Sequence, residues 1–196
     1  MLNKVISFLH VLIAIFTAIY AFIIPKKFTY DLCYILFLMF MLFSWILYDN
    51  QCIITYYYNK INKRNIKDKN KQNVGDIHEL IDETSFFGKF CFCLTTILAI
   101  ISAYIASTRS KIMSPFITTI FIFLRYLYAF YNSAVGFSFE LCCLHLFNKE
   151  TYNKINDMYK NTGFHNAIKP YFNTIIFILN IFILIYILVK NKNRIF

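Results

Sequence analysis

The chain has 196 residues, of which 59% are hydrophobic, 20% aromatic and only 15% charged, with a net charge of +10. An average soluble domain carries roughly 25% charged residues, and here the apolar residues come in long unbroken runs that leave no room for a separate water-soluble domain. The basic excess does not indicate nucleic-acid binding, because no basic face with groups for reading bases is visible; Lys and Arg collect in the loops of membrane proteins beside anionic lipid.

A helix needs about 20 apolar residues to cross the hydrocarbon layer, and the runs predict an all-α, polytopic transmembrane bundle of five spans. The first covers 5–24. Lys4 gives it a basic start, but it is too long for a signal-peptide core and no small-x-small cleavage site follows, so it is expected to be a retained anchor. Pro25, Lys26 and Lys27 form a turn. The second span covers 30–48 and carries Tyr30, Trp45 and Tyr48 at its ends, residue types that favour headgroup depth.

The loop over 49–89 is basic. Its Asn/Lys-rich middle is expected to be flexible, while "DIHELIDETSFF" from Asp76 reads as a short amphipathic helix on the membrane surface. The third span is expected at 90–107 and the fourth at 116–136. The stretch 148–170 is a second amphipathic loop, in which Asn148 can cap a helix and Gly163 can stop it. The fifth span covers 171–189, with Pro170 at its entry, where a missing N–H is tolerated.

Counting Lys and Arg, twelve fall on the side of the N-terminus and the two longer loops, and seven on the other. The positive-inside rule then makes the N-terminus cytosolic. The alternative, in which 132–147 is a sixth or re-entrant crossing, splits them 11 to 8, so five spans are preferred.

Inside lipid, close helix approach relies on small side chains. Thr95, Ala99, Ala103 and Ser107 form such a ridge in the third span and His10, Ala14 and Ala18 in the first, which places these two at the bundle centre. The fifth span is expected at the periphery, turning Asn173 and Asn180 inward. The intramembrane polar residues are thus His10, Asp31, Arg125 and Asn180. A charge at mid-bilayer must find water or a partner. Arg125 therefore either reaches Asp31 at the mouth of the second span, or is held by carbonyls and Tyr hydroxyls, or snorkels.

The six cysteines offer no paired CxxC motif, so a zinc-ribbon site is excluded. Cys52, Glu140, Cys142, Cys143 and His145 are all expected at the cytosolic end, with His10 in the adjacent leaflet. Thiolate, imidazole and carboxylate together can bind a metal or activate a nucleophile; simple burial and S-palmitoylation of Cys52, Cys142 or Cys143 are the other readings. No HExxH, GxSxG or phosphate loop is present, and no metal or cofactor is expected.

The residues "WILYDNQCIITYYYNK" (45–60) carry an aromatic-ended span into Cys, two aliphatics, Thr, then Tyr and Lys. Over about the first 60 residues the chain resembles small uncharacterised multi-pass membrane proteins of giant DNA viruses, a resemblance that implies a viral or host membrane and no known activity. The leading expectation is a non-enzymatic, structural or accessory multi-pass membrane protein, with the bilayer and anionic headgroups on its basic side as partners. The alternatives are a thiol enzyme or metal site at the cytosolic end, and a channel or transporter subunit using Arg125.

Overall fold

The computed structural model describes residues 2–48, 52–61, 86–132 and 163–195. The described elements are helices: α1 (Leu2–Ile23), α2 (Phe28–Leu47), α3 (Ile53–Ile61), α4 (Phe86–Arg109), α5 (Pro115–Asn132), α6 (Gly163–Lys190) and a short α7 (Lys192–Ile195). Three of them hold apolar stretches long enough to cross a membrane, Lys4–Ile23, Phe28–Leu47 and Pro170–Lys190. The apolar parts of α4 and α5 are shorter, Leu94–Arg109 and Pro115–Arg125.

Of the three long stretches, 44% of the α2 window is buried, against 33% for α1 and 22% for α6. The centre is therefore α2, whose Ile35, Leu38, Met39 and Leu42 are almost wholly enclosed. The small residues of α1 and α4 serve a different purpose: they let these two helices form the most extensive pair in the bundle. Ala18, Ser102, Ala103 and Ala106 are buried in the fold, as expected where backbones approach closely.

The turns are built by identifiable local chemistry. At the end of α4 the Lys111 N–H donates to the Thr108 carbonyl (3.1 Å) and the Ile112 N–H to the Ser107 carbonyl (3.0 Å), the paired bonds of a Schellman stop. Glycine normally occupies the left-handed position of that motif, yet here Lys111 does so, with φ 55°. Three residues later Ser114 caps α5, its Oγ accepting the Ile117 N–H at 3.3 Å, and Pro115 follows as the first helical residue, where its missing N–H is harmless.

Helices α4, α6 and α3 differ from the sequence expectation: α4 begins at Phe86, inside the loop expected over 49–89. Helix α6 begins at Gly163, so 163–169 belong to it and not to a loop, and Pro170 lies inside the helix rather than at its entry. Its ring removes one ladder bond there. Helix α3 was not expected at all, because its residues are mostly polar or aromatic. Residues 76–85 of the expected surface helix, 148–162 and all but Asn132 of the alternative crossing at 132–147 lie outside the described residues.

Candidate functional sites at the two ends of the bundle

The ends of α1, α4 and α6, the start of α2 and the α4–α5 turn gather in one polar layer around Asp31, whose side chain is fully buried. Arg109, in the last turn of α4, makes a two-pronged contact with it: Nη2 donates to Oδ1 at 2.6 Å and Nε to Oδ2 at 3.0 Å. The Tyr20 hydroxyl donates to Oδ1 at 3.2 Å and the Ser110 hydroxyl to Oδ2. Four donors saturate the carboxylate, and the parallel Arg–carboxylate fork is the strong form of such a pair. Asp31 also lies in the first turn of α2, where the helix dipole favours negative charge.

The layer extends outward from this pair. Arg109 donates a third bond from Nη1 to the Ala21 carbonyl of α1, 2.8 Å. Arg194, just beyond α6, donates to the Ser110 carbonyl at 2.9 Å and lies 3.7 Å from the Phe28 ring centroid. Asn191 donates to the Ile112 carbonyl at 3.0 Å. Charge and amide donors thereby join α1, α2, α4, α6 and the α4–α5 turn.

One turn deeper, two side chains enter the ladder of α1. The Thr17 carbonyl accepts from the Tyr34 hydroxyl at 2.7 Å, and the Ala21 N–H donates to Ser102 Oγ at 2.8 Å. Thr17 and Ala21 are i and i+4 partners in an unperturbed helix. Hydroxyls from α2 and α4 thus bond to both, which locks the three helices in register.

Arg125 is not the partner of Asp31. Its guanidinium lies 5.2 Å from the Trp45 ring centroid, and Trp45 also stacks with Tyr128 of α5. Fourteen residues of α2, about 21 Å at 1.5 Å per residue, separate Trp45 from Asp31. Arg109 is closer because it ends a helix beside the mouth of α2, whereas Arg125 lies ten residues into α5. Asn180 does face inward, fully buried, and donates to the Ile176 carbonyl at 2.9 Å. Its Oδ1 has no hydrogen-bond partner.

Toward the N-terminal end of α1, near the middle of the helix, the structure brings together two of the sequence candidates. Cys52 Sγ lies 3.3 Å from His10 Nε2, and both residues are more than nine-tenths buried. The Thr55 hydroxyl donates to the sulfur at 3.8 Å. Burial alone would push the Cys52 thiol up, but the hydrogen bond and charge of His10, helped by Thr55, outweigh it and hold the thiol below its ordinary value. Helix α3 positions this pair: Cys52, Thr55 and Asn59, all buried, recur at i, i+3 and i+7 and share one helical face. That polar periodicity was the signal available for α3.

A thiol beside an imidazole can pass its proton to the ring and act as a nucleophile. The other members of the expected cluster, Glu140, Cys142, Cys143 and His145, lie outside the described residues. Among the described residues no group of three or more His, Cys, Asp or Glu side chains is placed to hold a metal. Cys33, Cys52 and Cys91 are free thiols.

The described fold defines a helical protein with three helices long and apolar enough for integration into a membrane. No family model, curated protein or solved structure matches the chain.

Proposed function

We propose that the chain is a five-span integral membrane protein with its N-terminus in the cytosol, and that its role is structural or accessory rather than catalytic. One observation carries this reading: the C-terminal ends of α1, α4 and α6, the N-terminal end of α2 and the short turn that leads into α5 meet in the same Asp31 layer. This supports reading α4 and α5 as crossings alongside the three longer helices, with all five running alternately up and down. The Asp31 and Arg109 charges hold helices together, as in a scaffold. The resemblance to viral multi-pass proteins fits a membrane of viral or host origin.

Labelling the two termini from either side of sealed membranes tests this. Five crossings put the tags in opposite compartments, with the N-terminal tag reached from the cytosol; both tags reached from one side would overturn it. A second reading, a thiol-dependent activity at the cytosolic end, is favoured by the 3.3 Å contact between Cys52 and His10.

A further inference from the structure

Along the lipid-facing side of α1 and α2 runs a groove of about 410 Å³, within the roughly 300–1,000 Å³ range of small-ligand clefts. Its α1 wall is Phe16, Tyr20 and Ile24, and its α2 wall includes Tyr30, Tyr34 and Phe37. Tyr20 and Tyr34 form the floor, stacked at 4.0 Å with an interplanar angle of 5°. Both are nearly enclosed, and their hydroxyls are turned into the protein, onto Asp31 and the Thr17 carbonyl. Two of the three tyrosines that line the groove therefore present only their rings to it. The eight residues from Ile24 to Phe16 give it a depth of about 12 Å, most of the roughly 15 Å of one hydrocarbon leaflet.

The mouth of the groove is basic. Lys26 and Lys27 are exposed in the turn between its two walls, and Lys27 Nζ lies 4.5 Å from the centroid of the Tyr30 ring, itself part of the wall. Lys27 leaves the start of α2 without a side-chain cap. Across the same end of the bundle Lys111, Lys190, Lys192 and Arg194 add positive charge, while the charges of Arg109 and Asp31 balance each other in their ion pair. Basic pockets between transmembrane helices on the cytosolic or matrix side hold anionic headgroups; in the topology proposed above this groove opens to the opposite leaflet, where the same attraction between ammonium and phosphate operates.

We propose that this groove is a binding site for an anionic phospholipid, one acyl chain lying on the Tyr20–Tyr34 floor and the phosphate held by Lys26 and Lys27. Two features coincide here that a passive gap between helices does not need: an apolar floor made by turning tyrosine hydroxyls away, and a pair of cations at headgroup height. The site rests on α1 and α2 lying in a bilayer, as proposed above.

The test is native mass spectrometry of the full chain released from detergent micelles doped with equal amounts of phosphatidylglycerol and phosphatidylcholine. The wild type should retain phosphatidylglycerol over phosphatidylcholine, and a Lys26→Gln/Lys27→Gln variant should lose at least about fivefold of that preference. Cys33→Trp, which fills the groove from its α2 wall, should lower retention of the anionic lipid with both lysines intact. Glycerol 3-phosphate, which has the phosphate without chains, should not compete. Equal retention of the two lipids overturns the site. So does a preference that survives the two lysine changes but disappears in Lys190→Gln/Lys192→Gln. Competition by glycerol 3-phosphate overturns the acyl-chain half of the proposal. Failure of the membrane reading is separate, because it shows in the labelling of the termini and not in the ratio of bound lipids.

Discussion

The two ends of α1 hold buried polar groups in opposite conditions. At the Tyr20–Ala21 end, the Asp31 carboxylate receives four donors, so its acceptor sites are filled and its charge is fixed to Arg109. At the His10 end, about 15 Å away by helical rise, a thiol faces an imidazole across 3.3 Å and the proton between them can move. A saturated ion pair in a low-dielectric interior resists change because removing either member leaves a buried charge alone. A thiol–imidazole pair in hydrogen-bond contact can instead generate a nucleophile. The same helix thus carries a tie at one end and a chemically responsive group at the other.

The comparison breaks most visibly at Asp31. Asp31→Ala should lower stability by about 3–5 kcal/mol, the range for orphaning one member of a buried pair, read as denaturant unfolding in micelles. Ser102→Ala should cost less, about 0.6–1.7 kcal/mol, the range for hydrogen bonds between membrane helices; the same assay checks it. Lys111→Gly should raise stability by about 1 kcal/mol, because a left-handed residue with a Cβ is strained where glycine is not.

At the opposite end the expectation concerns reactivity. The lowered Cys52 value means that thiolate is present at lower pH than for an ordinary cysteine near 8.5. The rate of modification by a small methanethiosulfonate should therefore begin to rise at lower pH than for a free thiol, and His10→Ala should move that profile to higher pH. An unmoved profile would separate the two residues chemically. The smallest effect is expected at Asn180. Its Oδ1 already lacks a donor, so Asn180→Val should change stability by less than about 1 kcal/mol, or raise it, since removing an unsatisfied buried polar atom relieves a penalty.

The long helices were legible because unbroken apolar runs depend only on composition along the chain. From sequence, the small-residue ridges of α1 and α4 point to the bundle centre, whereas in the structure they lie on two helices that pack against each other. Their position relative to α2 was not legible, since burial of Ile35 or Leu42 reflects what surrounds them and not what they are. Arg109 looked like a loop charge and Arg125 like the residue in need of a partner. The relative heights of α2, α4 and α5 decide between them, and no local pattern states those heights. The end of α4 lies within two residues of the expected limit at 107, but how it stops was hidden, because lysine and not glycine occupies the left-handed position. Of the thiol site, Cys52 and His10 were both named from sequence; their contact depended on α3, whose buried face is polar and so resembles a loop.

The measurement closest to the central claim is a pair of double-mutant cycles for unfolding in micelles, Asp31 with Arg109 and Asp31 with Arg125. The account expects a coupling of at least about 1.5 kcal/mol for the first and under about 0.5 kcal/mol for the second. A strong coupling to Arg125 and none to Arg109 would contradict it, and with it the shared layer in which the helix ends meet.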